Sequence, residues 1–265
     1  MFWNPYMLLA MLGGVVLYAG GQRLADRVQR RRWVVGLLLV LLCLPGLSFV
    51  LYYAHLFPEP WWYIEWRSLP GTEALSASWC LLGGFLMPRA VAAPSFAAQI
   101  WRGLLFTLMT VFLLAPFAKP IIRPVELSTP LQNEWSDGVC LQTTASTCGP
   151  ASLATILAYY GQPHSEREIA RACYSCASGT ELWYLLRFAR RQGLRASYRQ
   201  PRSVADIPAP ALLGTGLGNA GHFITVLGQT REGVVIGDPL SGKKTLTAAQ
   251  LATEYRVCGA IVFRP

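Results

Sequence analysis

Long, uninterrupted apolar stretches dominate the first 118 residues of the chain and give way to shorter, punctuated ones afterwards. A helix needs about 20 apolar residues to cross the hydrocarbon core of a bilayer. Three stretches approach or reach that length: Pro5–Gly21, Trp33–Tyr53 and Ile100–Phe117. A fourth, Leu75–Ala93, is broken by Pro88 and Arg89, which leaves a span, a re-entrant segment and an interfacial segment as interpretations. The pattern predicts an α-helical membrane region of three or four spans over residues 1–118.

The rest of the chain has the pattern of a globular domain behind a linker. Residues 119–137 are rich in proline and poor in apolar runs, which is typical of a linker. Helical periodicity then predicts helices from about Pro150 to Tyr160 and from Glu181 to Gln192, with a short helix between them that begins at Ser165. Short β-type runs punctuated by Gly and Pro follow: ALLGTG, HFITVLGQ, GVVIGDP and GAIVF. Helices first and strands later predict an α+β domain over residues 138–265.

Composition and charge support this division. The chain is 53% hydrophobic and only 14% charged, whereas soluble domains average about 25% charged residues. The net charge of +9 raises nucleic acid as a partner, but much of the basic excess lies in Gly21–Arg32, beside apolar segments. A basic loop next to a membrane helix is a topology signal. We therefore expect the lipid bilayer as a partner, and no nucleic acid.

The same arginines predict an orientation. Positively charged loops remain in the cytoplasm, so the loop 22–32 is expected inside and segment 54–74 outside. Trp61, Trp62 and Trp66 in that outer segment are typical of an interfacial aromatic belt. If Leu75–Ala93 spans the membrane, the C-terminal domain emerges outside; if it does not, the domain is cytoplasmic.

The cysteines of the domain bear on this choice. Besides Cys148 there are four, an even number that suits two disulfides in an oxidising compartment: Cys140, Cys173, Cys176 and Cys258. Free thiols are the second interpretation, and a zinc site built on the Cys173–Cys176 spacing is the third. The disulfide interpretation favours four spans and an extracytoplasmic domain in a multi-pass protein of the bacterial inner membrane.

Cys148 is the first candidate for chemistry. It precedes Gly149 and Pro150, and proline is favoured at the first position of a helix. A cysteine at a helix N-terminus is exposed to partial positive charge and to free N–H groups, which favour the nucleophilic thiolate. The alternative is a small buried hydrophobic residue at the start of a helix.

His222 and Asp238 are the second candidate pair. His222 lies between a glycine-rich stretch and the run HFITVLGQ, and Asp238 ends the next run, GVVIGDP. A short turn around Thr230–Gly233 predicts that the two runs form a hairpin, which brings the start of one strand near the end of the next. The carboxylate would then orient the imidazole. The alternatives are a histidine without a catalytic role and an aspartate that begins a turn.

Three segments in this order resemble the bacteriocin-leader (double-glycine) cysteine peptidases, peptidase family C39: VCLQTTASTCGPAS, GHFITVLG and VVIGDPLSGK. Gln142 lies six residues before Cys148, and the pairs His222-Phe223 and Asp238-Pro239 follow. The resemblance covers about residues 138–263 and implies a papain-like fold. It implies that Cys148 is the nucleophile, His222 the general base and later acid, and Asp238 the orienting carboxylate. It also implies that the side-chain amide of Gln142 contributes to the oxyanion hole.

These inferences converge on a membrane-anchored cysteine peptidase that hydrolyses a peptide bond in a peptide or protein substrate, without a cofactor or a metal. An export apparatus is a candidate partner. The alternatives are a non-catalytic leader-binding module of an export system and a cell-wall amidase or endopeptidase. Bacteriocin-processing members of the family are fused to a transporter and an ATPase, whereas here the membrane segments precede the domain, so cleavage after two glycines is not carried over. The near-match to a phosphate-binding loop at Gly237–Lys244 lacks the final Ser or Thr, which predicts a simple turn.

Overall fold

The fold is described from a computed structural model of the chain. It describes residues 4–56, 59–87, 95–125, 133–201, 207–217 and 220–264. The chain divides into two compact units. The helical unit comprises Trp3–Glu59 and Gly71–Ala118, and the α+β unit comprises Pro60–Pro70 and the chain from Lys119 onwards.

The helical unit consists of α1 (Tyr6–Arg27), α2 (Arg32–Tyr53), α4 (Ser78–Leu86) and α5 (Phe96–Leu114). Among the described residues, three helical stretches are long and apolar enough to cross a membrane: Tyr6–Arg27, Gln29–Tyr53 and Phe96–Ile122. The ambiguous stretch Leu75–Ala93 contains the end of a 3₁₀ turn (Thr72–Ala77) and the nine-residue α4. Its last part, residues 88–93, lies outside the described residues. The three long helices correspond to the three clear apolar stretches of the sequence-based prediction.

Two glycines bring α1 and α4 into backbone contact. A Cβ at Gly21 of α1 would meet the carbonyl oxygen of Leu81, and a Cβ at Gly84 of α4 would meet that of Tyr18. No side chain fits there without moving a helix. Small residues at such crossings are the usual way in which helices associate in lipid, where van der Waals packing replaces the hydrophobic effect.

From Ala118 onwards, the described residues form five helices and eight strands. The helices are α6 (Ala118–Ile122), α7 (Cys148–Tyr159), α8 (Glu166–Ala172), α9 (Leu182–Arg191) and α10 (Ala248–Glu254). Strands β1 (Trp135–Ser136) and β2 (Val139–Cys140) pair with each other. The other strands are β3 (Arg195–Arg199), β4 (Ala211–Leu217), β5 (Ala220–Gln229), β6 (Val234–Asp238), β7 (Gly242–Leu246) and β8 (Arg256–Arg264). These six form one antiparallel sheet in the order β3-β8-β4-β5-β6-β7.

The predicted helices and the β5–β6 hairpin are present, but the two edge strands of the sheet, β3 and β7, were not predicted from the sequence. β3 reads RASYR and β7 reads GKKTL, so each carries charged side chains on its solvent-facing positions. The central strands have fully buried residues such as Leu213, Ile224 and Ile236. Because hydrophobic runs are the signal for buried strands, charged edge strands give little of it. The turn predicted over Gly237–Lys244 is shorter in the structure: it occupies Pro239–Ser241, and Gly242, Lys243 and Lys244 belong to strand β7 and pair with β6.

A short segment between α2 and α4, here named the strap (Pro60–Pro70), packs on the α+β unit. It contains α3 (Trp61–Arg67). The buried guanidinium of Arg187 on α9 donates to the carbonyl oxygens of Arg67, Ser68 and Leu69 at 2.6, 3.1 and 2.7 Å. The sequence had assigned these residues to one continuous membrane region, 1–118. The difference arises because the contacts that hold the strap are made by residues more than a hundred positions away.

Glu65 holds the strap to the edge of the sheet. Its carboxylate pairs with Arg190 at 2.6 Å and accepts the backbone N–H of Tyr198 in β3 at 2.6 Å. Arg67 is completely buried, with its guanidinium 4.3 Å from the ring centre of Trp183. The carboxylate of Glu65 therefore pairs with a cation of α9 and also accepts a backbone N–H of the edge strand β3.

The described part of the predicted linker 119–137 packs on the same unit. Lys119 pairs with Glu181 at 2.6 Å, and Pro124 forms an antiparallel bridge with Cys176. The N–H of Ala177 donates to the carbonyl oxygen of Arg123 at 2.8 Å. Residues 126–132 lie outside the described residues.

The disulfide interpretation is corrected by the structure, in which all seven cysteines are free thiols. The four candidates are on different elements: Cys140 is buried in β2, Cys173 follows α8, Cys176 forms isolated β-bridges and Cys258 is exposed on β8. An even number of cysteines says nothing about their separation in space. The cysteines therefore give no support for an oxidising compartment.

Candidate active site

Cys148 is the first residue of α7, two positions before the helix start expected from Pro150. Thr147 at the N-cap makes no capping hydrogen bond to the helix; its hydroxyl accepts the N–H of Thr144 instead. The Cys148 side chain is 6% exposed. The nucleophile candidate therefore lies at a helix N-terminus that no side chain caps, where the N–H groups and the helix dipole favour negative charge.

Gly149 allows the first turn of α7 to pack tightly. A Cβ there would lie 3.0 Å from Leu185 on α9 and 3.2 Å from Phe223 on β5. In addition, the hydroxyl of Ser152 donates to the carbonyl oxygen of Phe223 at 3.0 Å. These contacts fix the start of α7 against the start of β5, which carries His222.

His222 lies between the two other candidates. Cys148 is close enough to act on the pKa of its ring, and its Nε2 lies 2.9 Å from Oδ1 of Asp238. Because the carboxylate occupies Nε2, Nδ1 is the ring nitrogen left for the thiol. The structure thus brings together three residues that are 74 and 16 positions apart along the chain.

Asp238 is held by a full set of donors. Its Oδ1 also accepts the N–H of Leu240 at 2.9 Å, and its Oδ2 accepts the hydroxyls of Ser241 at 3.0 Å and Tyr255 at 2.7 Å. The side chain is 3% exposed. The bond from the N–H of Leu240 is the one that an aspartate makes when it begins a turn. Asp238 therefore begins a turn and also pairs with His222.

The surroundings of His222 and Asp238 shift the pKa of each side chain. Burial alone would lower the pKa of His222, but hydrogen bonds to Asp238 and Cys148 and the charge of both partners outweigh it, and the pKa rises to about 9. Burial alone would raise the pKa of Asp238, but hydrogen bonds from His222, Tyr255 and Leu240 outweigh it and hold that pKa well below its usual range. At neutral pH the site therefore favours an imidazolium beside a carboxylate.

Gln142 is tied to the loop that follows Asp238. Its backbone N–H donates to the carbonyl oxygen of Pro239 at 2.9 Å, and its side-chain Nε2 donates to the carbonyl oxygen of Thr144 at 2.8 Å. Its buried Oε1 has no hydrogen-bond partner among the described residues. The amide nitrogen carries two hydrogens, and one bond to Thr144 leaves the second for another acceptor.

Several supporting residues carry no motif in the sequence. Tyr255 lies seventeen positions after Asp238 in an ordinary polar stretch, yet its hydroxyl bonds the carboxylate inside the fold. Glu166 is fully buried and accepts both the N–H and the hydroxyl of Thr143, at 2.9 and 2.6 Å. It anchors the loop between Gln142 and Cys148. Within the described residues, no group of three or more His, Cys, Asp or Glu side chains is arranged to hold a metal ion.

Comparison with known proteins identifies the family of this domain. The family model described as "Peptidase C39 family" matches residues 137–264. An uncharacterized protein of Methanothermobacter marburgensis is 30% identical over 103 residues, which cover 38% of this chain and 71% of that protein. This chain belongs to the peptidase C39 family. An uncharacterized protein of Methanothermobacter thermautotrophicus is 28% identical over 108 residues, covering 41% of this chain and 75% of its own length.

The C39 domain is also similar to parts of transport proteins. The pediocin PA-1 transport/processing ATP-binding protein PedD of Pediococcus acidilactici is 25% identical over 136 residues, which are 49% of this chain but only 19% of PedD. Among solved structures, the peptidase domain of Streptococcus ComA, a bi-functional ABC transporter, is 21% identical with a TM-score of 0.44. The match covers 48% of this chain and 97% of that domain.

A second solved structure is a double glycine motif protease from an AMS/PCAT transporter in complex with a leader peptide. It is 24% identical to this chain with a TM-score of 0.44, and the match covers 52% of this chain and 96% of that one. Family membership supports a cysteine peptidase or leader-processing role. The C39 domain here follows helices with the length and composition of membrane spans.

Proposed function

We propose that this protein is a membrane-anchored cysteine peptidase with Cys148, His222 and Asp238 as its catalytic triad. One observation carries the proposal: a buried imidazole that bonds a carboxylate and lies beside a cysteine at a helix N-terminus. A thiol needs such a base, and the base needs a third group to orient it. Membership of the C39 family supports the same chemistry.

The reaction follows from the positions of these groups. The sulfur of Cys148 attacks the carbonyl carbon of the scissile peptide bond, and the second N–H of the Gln142 amide and the amides at the start of α7 donate to the oxyanion. Nδ1 of the His222 imidazolium gives its proton to the leaving amine as the C–N bond breaks, which leaves a thioester on Cys148. His222, now neutral, takes a proton from water as that water attacks the thioester. Collapse releases the acid product and restores the thiolate and the imidazolium.

The test is alkylation of Cys148 by iodoacetamide in the full chain, followed by mass spectrometry across pH. At pH 6 an ordinary thiol is about 0.3% thiolate and reacts slowly with iodoacetamide. In the proposed triad the imidazole of His222 activates the sulfur of Cys148 as a nucleophile. We expect Cys148 to react about tenfold faster than glutathione at pH 6.

The exposed Cys258 in the same molecule is the internal reference. Its labelling rate at each pH is the baseline for an exposed cysteine of the same chain. A Cys148 profile that matches that of Cys258 would contradict the catalytic proposal and favour a leader-binding module instead.

We also propose that the C39 domain lies on the extracytoplasmic side of the membrane. The strap touches α9 and β3 through Arg187, Arg190 and Glu65, so the strap and the domain share one side. Between them the stretch Phe96–Ile122 crosses once, and a return to the same side requires a second crossing between Pro70 and Phe96. The close packing of α4 on α1 supports that crossing. The arginine-rich loop after α1 is cytoplasmic by the positive-inside rule, which places the strap outside.

Reporter fusions test this topology. Alkaline phosphatase fused after Arg264 should be active, and green fluorescent protein at the same position should be dark, because the first folds only outside and the second only inside the cytoplasm. Fusions after Arg31, in the arginine-rich loop, serve as the matched control and should give the opposite result. Fluorescence from the C-terminal fusion would place the domain in the cytoplasm and exclude the fourth crossing.

A further inference from the structure

Among the described residues, four hydrogen-bond donors surround the carboxylate of Asp238, and two of them belong to its own turn. The N–H of Leu240 donates to Oδ1 at 2.9 Å, and the hydroxyl of Ser241 donates to Oδ2 at 3.0 Å. The N–H of Ser241 also donates to the carbonyl oxygen of Asp238 at 3.1 Å, which closes the turn. These local bonds hold the side chain to its own turn and do not tie it to the rest of the fold.

Tyr255 supplies a donor from a different part of the chain. It lies between α10 and β8, and its hydroxyl donates to Oδ2 of Asp238 at 2.7 Å. Tyr255 is 1% exposed and packs in a cluster of buried residues that includes Ile224 on β5 and Ile236 on β6, the strands that carry the histidine and the aspartate. Its N–H donates to the carbonyl oxygen of Leu251 at 2.9 Å. The backbone and the ring are therefore both held in place, and the hydroxyl is a fixed point of attachment.

The hydroxyl of Tyr255 stays a donor while the protein is folded. Burial, together with the bond to Asp238, raises the pKa of Tyr255 well above its usual range. The ammonium of Lys244 also approaches Oδ2, at 3.9 Å, but it is partly exposed and pairs with Glu254 at 3.2 Å. A partly exposed ion pair fixes a geometry less well than a buried hydrogen bond does. Tyr255 is therefore the main attachment of Oδ2 outside the turn.

His222 and Tyr255 hold different oxygens of the same carboxylate. Nε2 of His222 lies 2.9 Å from Oδ1, and the hydroxyl of Tyr255 donates to Oδ2. A rotation of the carboxylate away from His222 would break the bond to Tyr255 and leave a buried acceptor without its donor, which is costly. From this arrangement we infer that Tyr255 is a positioning residue, whose hydroxyl holds the Asp238 carboxylate in the orientation that presents Oδ1 to the imidazole of His222. The inference rests on the proposed function, because it concerns the group that orients the proposed catalytic base.

Replacing Tyr255 by Phe tests this role, because phenylalanine fills the same space and lacks only the hydroxyl. The full chain is reconstituted into vesicles of phosphatidylethanolamine and phosphatidylglycerol and given a proteome-derived peptide library. The products that disappear in Cys148→Ala define the substrates. On these substrates we expect kcat to decrease about tenfold, which corresponds to one hydrogen bond to a charged group, with KM within about twofold of the wild type.

Tyr198→Phe is the matched control. Tyr198 is also buried, but it lies on β3, three strands away from β5 in the sheet. This variant loses a hydroxyl from the same domain without touching the bonds around Asp238, so it should keep the wild-type kcat.

A double-mutant cycle separates positioning from packing. If Tyr255 acts through Asp238, Tyr255→Phe should change the residual kcat of Asp238→Ala by less than about twofold. An equal decrease in both backgrounds would overturn the inference, because the hydroxyl would then support only the packing of the domain. A wild-type kcat in Tyr255→Phe alone would overturn it as well. If the proposed function itself fails, the wild-type chain gives no product that Cys148→Ala loses, so the two failures are distinguishable.

Discussion

Replacing His222 by Ala should reduce kcat/KM for peptide hydrolysis by at least about 10³-fold. In the proposed mechanism the variant lacks the acid for the leaving amine and the base for the hydrolytic water. The measurement is digestion of a proteome-derived peptide library by the reconstituted full chain, with products quantified by mass spectrometry. Products that depend on Cys148 define the substrates on which the variant is then compared with the wild type.

The pH profile of the wild type should decline on the alkaline side. Because the pKa of His222 is raised to about 9, the imidazolium that serves as the acid is present below that value and is lost as the pH rises through it. His164→Ala is the matched control, since His164 is the other histidine of the domain and lies beside Glu168, away from Cys148. A His222→Ala variant that keeps more than about a tenth of wild-type turnover would exclude His222 as the general acid and base.

Replacing Arg187 by Ala should destabilise the protein by about 3–5 kcal/mol and release the strap. The buried guanidinium donates to three consecutive strap carbonyls. Hydrogen bonds to a charged group contribute about 1.5–3 kcal/mol each, and the variant leaves buried acceptors without their donor. The expected change is a decrease of about 10 °C in Tm, with faster proteolysis within the strap.

Scanning fluorimetry of the purified full chain and limited trypsin digestion are the two measurements. Arg191→Ala is the matched control, because Arg191 is on the same helix, carries the same charge and is exposed. Equal Tm values for the two variants would mean that the strap is not held by Arg187. A lower Tm with unchanged cleavage in the strap would mean that the domain core, and not the strap, depends on this residue.

Much of the C39 domain was predictable because its signals are local. Gly149 and Pro150, which follow Cys148, predict the start of a helix. The β5–β6 hairpin has buried apolar runs joined by a short turn. A hairpin with known strand directions brings its open ends together, so the proximity of His222 and Asp238 follows from strand order alone. The edge strands were missed because one of their faces carries charges.

Other features depend on contacts between distant parts of the chain. No local pattern indicates that Tyr255 bonds Asp238, that Glu166 anchors the loop before Cys148, or that Pro239 receives the N–H of Gln142. The disulfide interpretation was wrong for the same reason, because counting cysteines does not measure how far apart folding leaves them. The sequence placed the strap in the membrane region, since it lies between two apolar stretches.

The sequence by itself determined the family and the presence of helices able to cross a membrane, because each rests on residue types at short spacing or on the length of an apolar run. Only the tertiary structure decided where the strap packs and how many donors surround Asp238. Strand register and burial connect residues such as Glu65 and Tyr198 across more than a hundred positions. Such pairings are determined by packing over the whole fold, and no short stretch of sequence contains them.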